Sequence, residues 1–246
     1  MNTFSIIIPT FNDELNIRKN ILQLIKKIKK MKINYEMIII NDGSKDKTSK
    51  TLKDLKKDNK KIKILNNINN LGKSLSIRKG LKLSKYKRVI LIDSDLPYLE
   101  SFEKIIKRLN QNYDFVFINR RHKKSSIKNK RLNLYQFLRY LIGFLVSFII
   151  KIVLNFSTIE TDTQSGLKGF KKFKDFKKLN FISEKFFLDL ELMYYFKLYN
   201  KKFFSVPVNY TIDDKSSIKL FSIKKNIEIV NELINVLLKC KKINLI

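Results

Sequence analysis

The chain reads Arg88-Val89-Ile90-Leu91-Ile92-Asp93-Ser94-Asp95, where a short apolar run ends in two carboxylates one residue apart. Such a run, bounded by a polar turn, predicts a buried strand. Two carboxylates at a strand end can hold a hard divalent cation such as Mg²⁺ or Mn²⁺ against a diphosphate. An isolated Asp-x-Asp is more often a solvated turn, so its interpretation depends on the segments around it.

Three other polar segments follow short apolar runs in the same way. Residues 4–8 lead into Pro9-Thr10-Phe11-Asn12-Asp13, residues 36–40 into Asn41-Asp42-Gly43-Ser44, and residues 62–65 into the polar stretch 66–74. Helical spacing of apolar residues follows each run, which predicts a doubly wound, mostly parallel α/β sheet with helices on both faces. Ligands of such sheets bind beyond the carboxyl ends of the strands, so the four segments should converge on one crevice.

The remaining chain predicts a fifth strand at 113–119, a helix within 181–200, an edge strand at 203–208 and an amphipathic helix at 223–238. The proline in the 203–208 run indicates the edge position, because proline cannot donate to a ladder. Asp13 is placed to cap the first helix. We expect one catalytic domain over 1–210, including a basic and apolar segment at 123–156, and an amphipathic tail over 211–246.

The formal charge of +30 arises from 52 Lys and Arg against 22 Asp and Glu. This excess could indicate nucleic acid or an anionic membrane as partner, or simply a solvated face encoded by an A+T-rich genome. No RNP, zinc-finger or helix-turn-helix signature is present, so we expect no nucleic-acid partner. One cysteine, Cys240, and one histidine, His122, exclude an intrachain disulfide and a multi-histidine metal site. Any metal must therefore have oxygen ligands.

The segment 123–156 predicts contact with a membrane. Its first part is basic without a hydrophobic period, and its second part is rich in Leu, Ile, Phe and Val. The uncharged stretch 141–150 is bounded by Arg139 and Lys151, short of the ~20 apolar residues that a span needs. This favours a peripheral helix in the membrane interface, with the cations snorkelling to head groups. A spanning helix is the alternative, and it would bury Arg139 or Lys151.

The first apolar run begins at Phe4 and leaves no room for a signal peptide. We therefore expect the catalytic face to lie on the cytosolic side of the membrane.

Together these motifs carry a family resemblance. The chain resembles inverting glycosyltransferases of family 2, which have the GT-A fold, through the ordered segments at 6–14, 39–48, 70–74, 93–95 and 161–170. The 162–170 segment and Asn119-Arg120-Arg121-His122 most resemble the dolichyl-phosphate glucosyltransferase branch, beside the dolichyl-phosphate mannose synthases. The sequence departs from the usual branch pattern at Asn41, Ser74 and Ser165.

The resemblance implies a nucleoside-diphosphate sugar as donor and a polyprenyl phosphate as acceptor. Arg120 and Arg131 match the arginines that hold the lipid phosphate, and Asp162 and Gln164 match residues near the sugar. Asp189 and Glu191 resemble an Asp-x-Glu motif of which we expect one member to be structural, since the two do not share a helix face.

The physical interpretation assigns the donor site. Asp93 and Asp95 would hold Mg²⁺ or Mn²⁺, and Asp42 would accept from a base N–H. Lys73 after Gly72, with Arg78 one turn on, would favour an anion at a helix N-terminus. The predicted donor-binding residues are Pro9, Thr10, Phe11, Asn12, Asp13, Asp42, Gly43, Ser44, Lys73, Arg78, Asp93 and Ser94, and the predicted catalytic residues are Asp95, Arg120, Arg131, Asp162 and Gln164.

These observations predict inverting transfer of a hexose, with glucose from UDP-glucose favoured, to a polyprenyl phosphate. Mannose from GDP-mannose is the nearest alternative. A glycan or glycolipid hydroxyl as acceptor is another, and it would need Asp162 as a base. The alternative without enzymatic activity is a basic scaffold that binds a membrane or nucleic acid. The sequence leaves open whether a separate membrane subunit completes the enzyme.

Overall fold

The computed structural model describes residues 3–129, 131–157, 162–212 and 223–243. Its strands are β1 (Thr3–Thr10), β2 (Asn34–Asn41), β3 (Ile62–Asn66), β4 (Arg88–Ile92), β5 (Phe115–Asn119), β6 (Ser126–Ile127), β7 (Leu167–Lys171), β8 (Phe203–Pro207) and β9 (Asn209–Tyr210). Its α-helices are α1 (Ile17–Lys30), α2 (Thr48–Asp58), α3 (Lys73–Leu83), α4 (Phe102–Asn110), α5 (Leu134–Val153), α6 (Leu188–Leu198) and α7 (Ile223–Ile243).

Seven strands form one sheet in the order β3-β2-β1-β4-β7-β5-β8. All neighbours pair in parallel except β7, which runs antiparallel to both β4 and β5. The carboxyl ends of β1 to β5 therefore lie along one edge, and the segment that enters β7 lies at the same edge. This arrangement confirms the predicted doubly wound, mostly parallel sheet.

Successive side chains of the buried strands point to opposite faces of the sheet, so the core has two layers. Ile6 and Ile8 face one side with α1, α2 and α4, whereas Ile7 and Ile38 face the other side with α3 and α6. Each fully buried side chain of this size contributes roughly 1.5–3 kcal/mol. Because both faces are covered, the strands are nearly continuous apolar runs, which is why the sequence reveals them.

The first four strand–helix units and the fifth strand are confirmed, and β8 lies at the sheet edge as its proline predicts. The sequence did not predict β7 or the small β6–β9 pair. Asp13 is not the cap of α1, because the N-cap residue is Asn16 and Asp13 contributes only its carbonyl oxygen, which accepts from Ile17 N–H at 3.0 Å.

Helix α7 packs against α5 and α6 and buries Val236, Leu237 and Cys240 in the second core layer. Burial raises the pKa of the Cys240 thiol to about 12, as expected for an inert apolar side chain. The predicted boundary at 210/211 is followed by residues 213–222, which lie outside the described part of the chain, so the separate tail stays a prediction.

Helix α5 exposes most of its apolar surface. It contains 20 residues, about 30 Å at 1.5 Å per residue, and by length and composition alone it could cross a membrane. Only Ile150 is fully buried within it. The exposed apolar residues on the helix are Leu134, Phe137, Leu138, Tyr140, Leu141, Ile142, Phe144, Leu145, Phe148, Ile149 and Ile152. The helix is longer than the uncharged stretch suggested, and its placement in the interface stays a prediction.

Candidate active site

The acidic turn after β4 lies at the centre of the sheet edge. Asp93 N–H donates to the carbonyl oxygen of Gly166 at 3.0 Å, and Leu96 N–H donates back to the carbonyl oxygen of Asp93 at 3.0 Å. A Cβ on Gly166 would lie 2.8 Å from Oδ2 of Asp93 and 2.6 Å from Pro97, so only glycine fits there. The turn and the segment entering β7 therefore form one unit.

The two carboxylates of this turn have different surroundings. Nζ of Lys73 lies 2.7 Å from Oδ1 and 2.8 Å from Oδ2 of Asp93. Asp95 has no such partner among the described residues and is exposed in the crevice. Partial desolvation and the charge of Asp93 raise the pKa of Asp95. One carboxylate is thus neutralised by a lysine, and the other is available to a cation.

Lys73 belongs to the site, but not in the way predicted. The N–H groups of Ser74 and Leu75 at the start of α3 donate to the carbonyl oxygens of Lys185 and Glu184 at 3.1 and 2.9 Å. The helix N-terminus is therefore not open to an anion, and the ammonium of Lys73 contacts Asp93 instead. Nη1 of Arg78 lies 3.4 Å from the carbonyl oxygen of Ser183, and its predicted contact with an anion stays a prediction.

The loop that meets α3 is held by Glu232 of α7. Its carboxylate accepts from the N–H groups of Glu184 and Lys185, each at 2.8 Å, and from Oγ of Ser183 at 2.9 Å. Ser183 Oγ in turn lies 2.9 Å from Oγ of Ser74. These hydrogen bonds fix the start of α3 and so the position of Lys73.

The crevice fits a divalent cation. Among the residues that the structure describes, no group of three or more His, Cys, Asp or Glu forms a complete metal site. However, Oδ2 of Asp13 is buried without a hydrogen-bond partner, and the charge of Asp13 contributes to the raised pKa of Asp95. Asp13 and Asp95, which have no lysine partner among the described residues, suit Mg²⁺ or Mn²⁺, because these ions complete their shells with waters and substrate phosphates.

A buried ion pair lies behind the acidic turn. Nζ of Lys168 on β7 lies 2.8 Å from Oδ2 of Asp189 on α6, with the side chains only 2% and 6% exposed. Burial lowers the pKa of Lys168 despite the charge of Asp189. Both residues line a small cavity with Lys73, Asp93 and Ser165, whose Oγ is buried and unpartnered. Sequence reasoning missed Lys168.

Both members of the Asp-x-Glu motif of α6 are paired within the fold, Asp189 with Lys168 and Glu191 with the loop before the helix. Glu191 accepts from Ser183 N–H at 2.9 Å and from Nζ of Lys239 on α7 at 2.9 Å. It therefore joins the helix to the preceding loop and to α7. Asp189 lines the small cavity beside Lys73 and Asp93.

Asp42 has a structural role that the sequence did not predict. Oδ1 accepts from Nδ2 of Asn67 at 2.7 Å and from Leu71 N–H at 3.0 Å, and Oδ2 accepts from Gly72 N–H at 2.9 Å. Only 4% of Asp42 is exposed, and its carboxylate orders the 67–72 loop, while its contact with a base N–H stays a prediction. Gly43 follows at φ +71°, where a Cβ would lie 2.3 Å from the backbone of Asn69.

The loops after β1 and β2 hold each other. Asn12 N–H donates to Oγ of Ser44 at 2.9 Å, and Lys45 N–H donates to Oδ1 of Asn12 at 2.9 Å. Thr10 Oγ1 is buried without a partner, and the Phe11 ring is 45% exposed. An unpartnered hydroxyl beside an exposed ring is suited to contacting a base and ribose, and that role of the 9–13 loop stays a prediction.

Arg120 and Asp162 form a bidentate ion pair at the other end of the crevice. Nε of Arg120 lies 2.8 Å from Oδ2 of Asp162, and Nη2 lies 2.8 Å from Oδ1. Burial alone would raise the pKa of Asp162, but the charge and hydrogen bonds of Arg120 lower it, and that pairing raises the pKa of Arg120. Nε and Nη2 of Arg120 are therefore engaged by Asp162, and its role as a phosphate ligand stays a prediction. Asp162 is also a poor base.

The remaining predicted site residues make few contacts with the residues described above. Gln164 is exposed, with Nε2 3.5 Å from Oγ1 of Thr163. Arg131 is exposed just before α5 and contacts no crevice residue within the described ranges. Ser94 accepts, through its carbonyl oxygen, a hydrogen bond from Nδ2 of Asn20 at 2.9 Å. The structure thus brings together Asp13, Lys73, Asp93 and Asp95, and separately Arg120 and Asp162.

A doubly wound sheet with an acidic turn at the end of its central parallel strand defines a GT-A type glycosyltransferase fold. Residues 5–175 match the family model for glycosyl transferase family 2, and the chain belongs to that family. The chain is 15% identical to the crystal structure of glucosyl-3-phosphoglycerate synthase from Mycobacterium tuberculosis in complex with Mn²⁺, UDP and phosphoglyceric acid. The TM-score is 0.68, over 97% of this chain and 78% of that one, which supports the fold.

Two curated relatives show which glycosyltransferases the chain is similar to. A protein of Synechocystis named as a glycosyltransferase is 38% identical over 118 residues, or 48% of this chain and 37% of that protein. The dolichyl-phosphate β-glucosyltransferase of Dictyostelium discoideum is 29% identical over 234 residues, or 89% of this chain and 69% of that protein. The chain spans only about a third to a half of the length of several curated relatives that it matches. It is a family 2 glycosyltransferase that resembles dolichyl-phosphate glucosyltransferases.

Proposed function

We propose that this glycosyltransferase moves glucose from UDP-glucose to a polyprenyl phosphate at the cytosolic surface of a membrane. The observation that carries the proposal is the placement of an acidic turn and an arginine-containing turn at one edge of the sheet, in a chain that also has an exposed apolar helix. The turn with Asp93 and Asp95 and the turn with Arg120 and Arg121 follow the parallel strands β4 and β5 at the same edge of the sheet, and the exposed apolar helix α5 comes after β6 along the chain. The name of the Dictyostelium relative supports the same donor sugar and lipid acceptor.

The acceptor end suits an anionic nucleophile. An oxygen of the lipid phosphate would attack the anomeric carbon as the bond from that carbon to UDP breaks, and UDP would leave with the bonding electron pair. A phosphate monoester needs no strong general base for this attack. Asp162 is bound by Arg120 and has a lowered pKa, so a hydroxyl acceptor lacks a base there.

The donor end suits a leaving diphosphate. A divalent cation bound by Asp93 and Asp95 would supply positive charge to the leaving oxygen. Lys73 holds Asp93 in place and keeps a second positive charge in the crevice. Asp13 adds a buried oxygen without a partner.

One assay tests the proposal. Purified protein with Mn²⁺, a panel of labelled nucleotide sugars and a polyprenyl phosphate is expected to give a labelled lipid with UDP-glucose, after organic extraction. A labelled lipid with GDP-mannose alone would replace the sugar but keep the acceptor. Label found only on a glycan or glycolipid hydroxyl would contradict the proposal.

Membrane binding through α5 gives a separate prediction. Phe148 is 51% exposed, and Phe148→Asp replaces its apolar ring by a charged side chain. We therefore expect binding to anionic liposomes to weaken about 10-fold or more. Leu22→Asp on α1, 47% exposed on the globular domain, is the matched control and should bind normally. Liposome flotation measures both variants.

The salt dependence distinguishes the modes of binding. High salt should weaken flotation of the unmodified protein without abolishing it, because apolar insertion persists when surface charge is screened. Protein that stays in the supernatant at low salt would contradict peripheral binding. Protein that only detergent extracts from cell membranes would favour a spanning α5.

A further inference from the structure

The loop that precedes α6 touches the start of α3 backbone to backbone. Two N–H groups in the first turn of α3 donate to carbonyl oxygens of the 183–187 loop, at 3.1 and 2.9 Å. Gly72, just before the helix, has φ +102°, and a Cβ there would lie 2.7 Å from the carbonyl oxygen of Glu184. Because the two backbones are in direct contact, a shift of the loop would shift the first residue of α3, which is Lys73.

Glu232 of α7 holds the backbone of this loop. Its carboxylate oxygens accept from the three successive N–H groups of residues 184–186, at 2.8, 2.8 and 3.2 Å, and from Oγ of Ser183 at 2.9 Å. Successive N–H groups that converge in this way form an anion-binding concavity, and here the anion is a side chain of the same chain. Hydrogen bonds to an ionised acceptor are stronger than those between neutral groups. The position of the loop therefore depends on Glu232.

Helix α7 is itself fixed against the catalytic domain. Lys239 lies two turns after Glu232 on the same face of α7, and its Nζ is 2.9 Å from Oε1 of Glu191 on α6. The buried apolar side chains of α7 belong to the second core layer. All of α7 lies outside residues 5–175, which match the family model. The carboxylate that orders the loop is therefore supplied by a part of the chain beyond the family region.

We propose that Glu232 is a positioning residue of the donor site, which acts through the 183–187 loop and α3 to hold the ammonium of Lys73 on Asp93. This inference rests on the proposed function, because Lys73 and Asp93 lie where the diphosphate is proposed to leave. Nζ of Lys73 spans both carboxylate oxygens of Asp93, at 2.7 and 2.8 Å, so a small shift of α3 would break the contact. An Asp93 carboxylate without that partner would repel the diphosphate.

Glu232→Gln is the main test variant, and Glu228→Ala is its matched control. The amide of Glu232→Gln has the same shape and keeps one oxygen, but it has no charge and its NH₂ group cannot accept from the loop. Glu228 lies one turn earlier on α7, and its Oε2 is 2.5 Å from Nζ of Lys185 in an exposed ion pair. It contacts the same loop through a side chain, so Glu228→Ala should leave the loop backbone in place.

We expect Glu232→Gln to lower the rate of glucose transfer about 10-fold or more, because a displacement of about 1 Å in an active site can cost on the order of 10²-fold. Glu228→Ala should match the unmodified protein. Calorimetry with UDP and Mn²⁺ gives a readout that does not depend on turnover. The affinity for UDP should fall in Glu232→Gln while the stoichiometry stays complete. A loss of folded protein would instead lower the stoichiometry and leave the affinity unchanged.

A double-variant cycle with Lys73 tests the route of the effect. Lys73→Met removes the ammonium that contacts Asp93, so both the transfer rate and the UDP affinity should fall. If Glu232 acts through that contact, adding Glu232→Gln to Lys73→Met should cause little further loss. Hydrogen exchange tests the first step of the route. Amide hydrogens in the first turn of α3 should exchange faster in Glu232→Gln than in Glu228→Ala.

The inference would be overturned if Glu232→Gln left the UDP affinity or the hydrogen exchange in α3 unchanged, or if the losses multiplied in the double variant. It would also be overturned if Glu232→Gln did not fold, since the residue would then serve stability alone. The proposed function fails separately, if the unmodified protein binds UDP but transfers no glucose to a polyprenyl phosphate. The same cycle measured on UDP affinity then still decides the role of Glu232.

Discussion

Asp95→Asn is expected to lower sugar transfer on the order of 10²-fold or more, because the leaving diphosphate loses a ligand of its stabilising cation. Asp95 is the carboxylate of the acidic turn that has no lysine partner in the described chain, whereas Asp93 is bound by Lys73. Repulsion from Asp93 is one cause of the raised pKa of Asp95. Removing the Asp95 charge relieves that repulsion, so the fold should be retained.

Steady-state rates over a Mn²⁺ titration measure the effect, and Mn²⁺ binding in the presence of UDP gives a readout that does not depend on turnover. The matched control is Asp54→Asn on α2, an exposed carboxylate that pairs with Lys57 at 3.2 Å. It should leave rate and Mn²⁺ affinity unchanged. Full activity of the unmodified protein in excess EDTA, or unaltered Mn²⁺ affinity in Asp95→Asn, would exclude the cation role.

The strand ends were predictable because each buried parallel strand is an apolar run and each run stops abruptly. Asp93-Ser94-Asp95 follows Ile92 directly, so its place at the sheet edge follows from the period of the sequence and from parallel topology. Strand β7 was missed for the opposite reason. Lys168 and Gly169 interrupt its apolar pattern, and burial of that lysine is tolerable because its Nζ pairs with Asp189 and donates to the carbonyl oxygen of Thr163 at 3.2 Å.

The sequence could not predict which cation of the site pairs with which carboxylate. With 52 Lys and Arg in the chain, no local pattern says which cation meets which carboxylate. Lys73 lies on Asp93 because the loop after residue 182 positions the start of α3, and that loop is fixed by Glu232 more than forty residues later. Arg120 pairs with Asp162 across a comparable separation. These are tertiary contacts, and they decide which charges stay free for substrates.

The buried pair Lys168–Asp189 gives the prediction with the largest effect on stability. Lys168→Met leaves the Asp189 carboxylate buried without its partner, so we expect the free energy of unfolding to fall by about 3–5 kcal/mol. The exposed pair Lys178–Asp175, at 2.9 Å, is the matched control. Lys178→Met should leave the free energy of unfolding nearly unchanged, because solvent screens that pair. Urea denaturation monitored by circular dichroism measures both.

The double variant Lys168→Met/Asp189→Leu separates the cost of an unpaired charge from the value of the pair. Replacing both partners by apolar groups removes both desolvation penalties, so we expect most of the lost stability to return. The rate of sugar transfer by the double variant gives a second result. Lys168 and Asp189 line the same cavity as Lys73 and Asp93, and Asp189 contributes to the raised pKa of Lys73. A double variant that is stable but slow would mean that the pair holds Lys73 and Asp93 in position. A stable variant with the unmodified rate would limit the pair to folding, and a double variant as unstable as Lys168→Met would contradict the charge-burial argument itself.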